Sequence, residues 1–482
     1  MFRTRGVERI QILNYRGVYM KTKKQATIGH ALIPIFVLVS SLFVGIVYLG
    51  TDAHIPILIA IIVAAAVGIW GLGYTWGEIE KGAIETIQMS MQAILILMVI
   101  GTVVGSWILS GTVPAMIYYG LQILSPGIFL VATAIICAIV SLATGSSWTT
   151  AGTVGIALMG VGQGLGMPAA IVAGAVVSGA YFGDKISPLS DTTNLAPAMA
   201  GSTLFEHIKY MFWTTIPSFT IALILYGIIG ARYAGSQLDT TNINVILDGI
   251  AANFYISPIL LLPPVIVIAL VVMKVPALPG LMAGTVVGGL FAAVFQGSGL
   301  GTIINTAHYG FEIDSGVAMV DELLNRGGLD GMMWTVSLIL LAMTFGGIME
   351  RTGMLQAIAA GILKLANNTG SLVTATILTS IAINILAADQ YLAIVIPGRM
   401  YKDAYDEMGL EPRLLSRTLE DGGTLTSSLI PWNTCGAYMQ SVLLVSPLAY
   451  APYAFLNLIN PIVAIIYGFT GFSIKKQEPK AE

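Results

Sequence analysis

Charge is scarce in this chain. Asp, Glu, Lys and Arg make up 10% of its 482 residues, against 56% hydrophobic residues and a mean hydropathy of +0.84. A soluble globular domain carries about 25% charged residues, so that class is excluded. Cysteine is nearly absent: Cys137 and Cys435 supply neither a disulfide framework nor a zinc spacing. The four histidines, His30, His54, His207 and His308, are scattered. They offer no metal triad and no nucleophile–base pair, which excludes an enzyme of either kind. With 22 basic and 25 acidic residues the net charge is -3, leaving no basic surface to neutralise a nucleic-acid backbone. The glycines at 160, 162, 164 and 166 do not form GxGxxG and follow no strand, so no nucleotide site and no cofactor are expected.

What is present is long apolar runs and 54 glycines. Runs of spanning length lie at about 28–50, 55–72, 90–110, 208–230, 256–274, 277–296, 332–349 and 449–471. Because a bilayer leaves the backbone no other way to satisfy itself, these predict an all-α polytopic membrane protein. Residues 1–27 form a basic segment that precedes the first span, with Met20 as an alternative start, and no cleavage site follows. Gly101 with Gly105, and Gly284 with Gly288, match GxxxG and predict close helix packing. Glu78, Glu80, Lys81 and Glu85 predict a solvated amphipathic face.

Four segments are apolar yet interrupted. Residues 126–160 break at 144–150, 168–200 at 183–194, 370–398 at 387–391, and 416–446 at 421–428 and 431–434. At a constant offset of 243, Trp148 falls on Tyr391, Pro188 on Pro431 and Ser190 on Asn433. The layout predicts two copies of one unit: three spans, a re-entrant hairpin, a broken transmembrane helix and a last span. The first copy covers 28–230 and the second 256–471, with an external linker at 231–255 and a cytoplasmic tail at 472–482. Five crossings per copy require the second to be inverted. With cytoplasmic termini, 19 of the 22 Lys and Arg fall inside, Arg417 among them; Arg232 and Arg326 fall outside and Lys185 within the membrane. The acidic loop at 297–331 then lies outside.

The interruptions also hold the chemistry. A carboxylate at the centre of a span costs about 2.5–3.5 kcal/mol on insertion scales, so Asp184, Asp191 and Asp389 should face something polar. Asp421, next to Glu420, is balanced between that role and a solvated helix end. Freed carbonyls beside Pro188 and Pro431 are tolerated where backbone lines a cavity or binds an ion. Hydroxyls, carbonyls and carboxylates gathered there make a hard-oxygen site suited to Na⁺. The candidate cation- and proton-binding residues are Asp184, Ser187, Ser190, Asp191, Thr192, Thr193, Asn194, Asp389, Thr426, Ser427, Asn433 and Thr434. Na⁺ itself is expected at Asp191, Asn194, Asp389 and Asn433. Ser146 and Ser147 mark a hairpin tip, and Lys185 is a charge partner. Because a bound cation and a proton compete for one carboxylate, exchange needs no covalent chemistry. A channel would need a continuous polar stripe, which the sequence lacks.

The stretches TGSSWTTAGTVG (144–155), SGAYFGDKISPLSDTTNLAPAMAG (178–201) and DGGTLTSSLIPWNTCGAYM (421–439) resemble the NhaC family of bacterial sodium/proton antiporters. The resemblance runs from about residue 28 to the end. It implies secondary transport across the bacterial cytoplasmic membrane. The hairpins and broken helices would form an elevator-like mobile unit, and the remaining helices would serve as scaffold and homodimer contact. Implied partners are membrane lipid, Na⁺ and H⁺, with Li⁺ as a further cargo. Some members exchange malate for lactate with Na⁺ and H⁺, so a small organic acid is the alternative cargo. Its carboxylates would need Lys185 or the helix starts after Pro188 and Pro431.

Overall fold

The computed structural model describes residues 23–234 and 240–477. The basic segment before residue 23, the alternative start at Met20 and the last five residues of the tail lie outside them. Among the described residues nine helices are long and apolar enough to cross a bilayer, and two bent pairs bring the number to eleven. The protein is an all-α polytopic membrane protein.

Small residues let these helices approach. Gly101 sits so close to the loop before Met333–Arg351 that a Cβ there would meet the Gly328 carbonyl oxygen at 2.3 Å. A Cβ on Gly288 would meet Ser106 Oγ at 2.8 Å. The GxxxG faces of Met91–Leu109 and Ala277–Gln296 therefore do pack, locked by the Trp107 indole donating to the Gly284 carbonyl at 3.0 Å. Gly179 and Gly183 do the same for Ala169–Ile186 against Pro126–Thr144, where added Cβ atoms would lie 2.2 Å from Ala134 O and Leu142 N.

Two segments read as connections contain helices. Thr240–Asn253 occupies much of the 231–255 linker and meets Pro258–Val272 at a 98° bend. The 297–331 loop holds Leu300–Tyr309, Ala318–Leu324 and an antiparallel bridge between Phe311 and Arg326. Trp76–Met89 is the amphipathic helix expected around Glu78, opened by a capping box from Thr75 to Glu78.

The offset of 243 reappears in the backbone. Pro126–Thr144 and Thr369–Leu386 start at matching positions, as do Ala169–Ile186 and Pro412–Leu419, which open two broken helices. Asp191–Ala200 and Thr434–Leu443 complete the broken helices at matching positions. Left-handed residues match as well: Gly145 with Ala388 (φ 67° and 56°) and Gly201 with Leu444 (φ 83° and 57°). Ala388 and Leu444 adopt a conformation that costs a non-glycine residue about 1–2 kcal/mol, so the hairpin and helix geometry overrides local preference there.

Candidate functional site

The first helix of each pair ends at a left-handed residue, Gly145 or Ala388, and the following side chain caps the next helix. Ser146 Oγ accepts the Thr149 amide at 3.1 Å. Asp389 Oδ1 accepts the Tyr391 and Leu392 amides at 2.9 and 3.0 Å. The other Asp389 oxygen accepts the Ser90 hydroxyl at 3.2 Å, which joins this tip to the segment between Trp76–Met89 and Met91–Leu109.

The first broken helix stops at Ile186 because Pro188 cannot continue it and disfavours helix at Ser187. Its freed carbonyls are taken up locally. Thr193 Oγ1 reaches the Asp184 and Lys185 carbonyls, each at 2.9 Å, and Asn194 Nδ2 donates to Pro188 O at 3.0 Å and Ser190 O at 2.7 Å. Ser187 Oγ donates to Leu142 O at 2.9 Å and so ties the break to the first hairpin. Thr192 and Thr193 turn inward while Asp191 and Asn194 are exposed. Ser147 Oγ donates to Asp184 Oδ2 at 2.6 Å, and Ser190 lies 3.2 Å from Thr192, hydroxyl to hydroxyl. This joins the first tip to the first break.

The second break is satisfied by amides. Asn433 Oδ1 accepts the Cys435 amide at 3.0 Å, its Nδ2 donates to Asn384 O and Oδ1 at 3.1 Å, and the Thr434 amide donates to Ala388 O at 2.9 Å. Asn384 Nδ2 in turn reaches Gly423 O and Thr426 Oγ1. Ser427 Oγ donates to Thr424 O at 2.7 Å.

The two units cross. Trp148, beside the first tip, stacks on Tyr438 at 4.1 Å between centroids, and the Tyr438 hydroxyl donates to Trp148 O at 2.7 Å. The counterpart of Trp148, Tyr391, places its hydroxyl 3.5 Å from Asp191 Oδ2 while its amide is held by Asp389. Asp191 and Asp389 are thus bridged by one residue. Among the described residues no hydrogen bond joins any two of Asp191, Asn194, Asp389 and Asn433 directly.

Three features were not visible in the sequence. Lys185 pairs with Asp421 of the other unit rather than with its neighbour Asp184. Asp421 is wholly buried, which settles it against a solvated helix end, and also accepts from Thr214 at 3.1 Å and Asn460 at 2.6 Å. Arg417, placed with the inner-face charges by its sequence position, is 0% exposed, 3.6 Å from Asp421 and stacked over Tyr210. The amphipathic appearance of Pro412–Leu419 hid this, because the facing helix 204–234 covers the charges. Asn384, Asn457 and Asn460 were legible in principle, being amides inside apolar runs.

The fold and these paired breaks define a polytopic membrane protein with a buried polar centre of carboxylates, hydroxyls, amides and two cations. A model of the Na⁺/H⁺ antiporter family matches residues 179–472. The chain is 39% identical over 460 residues to the Na(+)/H(+) antiporter NhaC of Alkalihalophilus pseudofirmus, covering 95% of this chain and 99% of that one. It is 41% identical over 460 residues to the arginine/ornithine antiporter ArcD of Halobacterium salinarum, with 95% of each chain covered. It is 37% identical over 466 residues to the malate-2H(+)/Na(+)-lactate antiporter of Bacillus subtilis, covering 96% and 99%. The chain belongs to the Na⁺/H⁺ antiporter family.

Proposed function

We propose that the protein is a secondary antiporter that exchanges Na⁺, and Li⁺ as a further cargo, for H⁺ by alternating access across the bacterial cytoplasmic membrane. The observation that carries this reading is the state of the buried cations. A malate, lactate or amino-acid carboxylate needs a free cation or an open helix N-terminus. Lys185 is occupied by Asp421, Arg417 is enclosed by Asp421, Ser473 and Tyr210, and the helix starts carry Ser146, Asp191, Asp389 and Asn433 of the protein itself. Carboxylates and hydroxyls remain, which suits a small hard cation and a competing proton.

The two units act as inverted repeats, 28–230 and 256–471, with the termini on the cytoplasmic side and the other helices as scaffold and homodimer contact. The twelve residues from Asp184 to Thr434 named from the sequence form the transport region, with Ser146, Ser147 and Lys185 beside them. Asp191, exposed and within reach of Tyr391, is the entry ligand, and Asp389 is the buried one. Inside-out vesicles with a respiration-driven pH gradient should lose part of it on addition of Na⁺ alone. A requirement for malate, lactate, arginine or ornithine overturns the cation-only cargo. A cysteine at the exposed Asn325 should react with an impermeant thiol reagent in intact cells; protection there rejects the orientation.

A further inference from the structure

The second broken helix does not run as a plain α-helix to its break. It widens into a π-turn at Glu420–Thr424, a distortion that collects at functional sites. Glu420 opens that turn with 0% of its surface exposed, and neither carboxyl oxygen has a hydrogen-bond partner. Thr424 Oγ1, one turn on and equally buried, has no partner in reach besides Glu420. Around Glu420 stand the Thr424 and Thr192 hydroxyls, Asp184 and Lys185. Thr192 comes from the first break and Asp184 is the residue that Ser147 of the first hairpin tip touches. Three elements, the π-turn, Asp191–Ala200 and Ala169–Ile186, therefore converge on a buried carboxyl whose nearest donors are two hydroxyls.

The charges do not cancel. Two buried cations, Lys185 and Arg417, face three buried carboxyls, Asp184, Glu420 and Asp421. Asp421 takes the Lys185 ammonium and lies 3.6 Å from the Arg417 guanidinium. One negative charge is left over between Glu420 and Asp184. A buried carboxylate without partners is expensive, so a proton or a cation must neutralise it. We infer that Glu420, Thr424, Thr192 and Asp184 form a second ion site, separate from the Asp389 tip, in which Glu420 alternately holds a proton and contributes to binding Na⁺. One proton leaves the site for each Na⁺ taken up there. The inference rests on the antiport reading and extends it with a residue that the sequence placed near the inner end of its helix.

The test uses full-length protein in proteoliposomes. Thr424→Val removes the buried hydroxyl at constant shape, so a purely structural role predicts an unchanged or higher melting temperature and wild-type kinetics. The ion-site role predicts a Na⁺ KM raised several-fold at unchanged kcat. Glu420→Gln should lower the number of H⁺ exchanged per Na⁺, read from the reversal of flux against imposed Na⁺ and pH gradients, and Glu420→Asp should restore it in part. Wild-type coupling in E420Q together with wild-type KM in T424V overturns the second site and leaves the antiport reading standing. E420Q that does not fold leaves the decision to T424V. Wild-type protein that moves no Na⁺ against H⁺ overturns the antiport reading. In that case the Na⁺-induced rise in melting temperature decides the site: a smaller rise in T424V supports it, and an equal rise removes it.

Discussion

The first unit presents Ser146 where the second presents Asp389, and Gly174, Val177 and Ser178 where the second presents Arg417, Glu420 and Asp421. In the other direction Asp184 and Lys185 stand where the second unit has Ser427 and Ser428. The helix starts, the left-handed turns and the caps nevertheless coincide. One backbone plan thus carries two charge patterns, and the patterns interlock: Lys185 of the first unit meets Asp421 of the second. Lys185 finds its carboxylate only in the other unit. The difference teaches that the repeat supplies geometry, while divergence between the copies supplies a polar centre that exists only when both are assembled.

Breaking that interlock should have the largest effect. Lys185→Met leaves Asp421 with Arg417 at ion-pair distance and an uncompensated share of charge, and losing one partner of a buried pair costs about 3–5 kcal/mol. The melting temperature of K185M in detergent should fall accordingly. Adding Asp421→Asn should recover part of it, since the cluster returns to its wild-type net charge although Arg417 loses its nearest carboxylate. Failure of the double variant to recover would mean that the two units are held together elsewhere.

A smaller change separates capping from transport at the two tips. Asn caps a helix nearly as well as Asp, so Asp389→Asn should fold close to wild type while Na⁺-driven proton movement in vesicles falls to background. Asp389→Ala should in addition lose about 1 kcal/mol of stability through the missing cap. Ser146→Ala at the neutral tip should show the same stability loss, read by thermal melting, without the loss of transport. Equal transport defects at both tips would erase the functional distinction between the copies.

The turn itself offers a paired test of opposite sign. A Cβ on Gly145 would lie 2.6 Å from Leu189 Cβ at φ 67°, so Gly145→Ala should destabilise by about 1–2 kcal/mol from the backbone alone, with the clash added. Ala388 already bears that conformation, and Ala388→Gly should stabilise by up to about 1 kcal/mol once the entropy of glycine is set against the relief. Melting curves of both variants check the pair.

How much of this was legible in the sequence depends on the kind of signal. Spans and breaks were readable because apolar runs and the prolines at 188 and 431 act locally on the backbone. The matching of Ser190 with Asn433 was readable because both precede a helix and follow a proline at a fixed distance. The partner of Lys185 was not, because Asp421 lies 236 residues away and only the packing of Pro412–Leu419 under the 204–234 helix brings it in. The enclosure of Arg417 was hidden for the same reason. Arginine near the inner end of a span ordinarily reaches water, and here Tyr210 and Asp421 enclose it instead.

The smallest effect comes from an exposed pair of the same chemistry, which isolates what burial adds to the interlock. Lys23 Nζ lies 2.5 Å from Glu78 Oε1 with both side chains open to solvent, and Glu78 also caps its helix through the Thr75 amide and hydroxyl at 3.0 Å. The Lys23 ammonium first, and the Thr75 hydrogen bonds after it, hold the Glu78 carboxyl at about 2 rather than its ordinary 4.5. A carboxyl depressed in the folded state contributes stability above its ordinary value and loses that contribution as pH falls through the folded one. The pair's contribution should therefore be constant above about pH 4.5 and vanish between there and about 2. Lys23→Ala should barely move the melting temperature at pH 7, because an exposed pair is screened, and should remove most of the difference between pH 5 and pH 3 that Glu78 causes. A shift at pH 7 as large as that of K185M would show that enclosure between the two units adds nothing to a lysine–carboxylate contact.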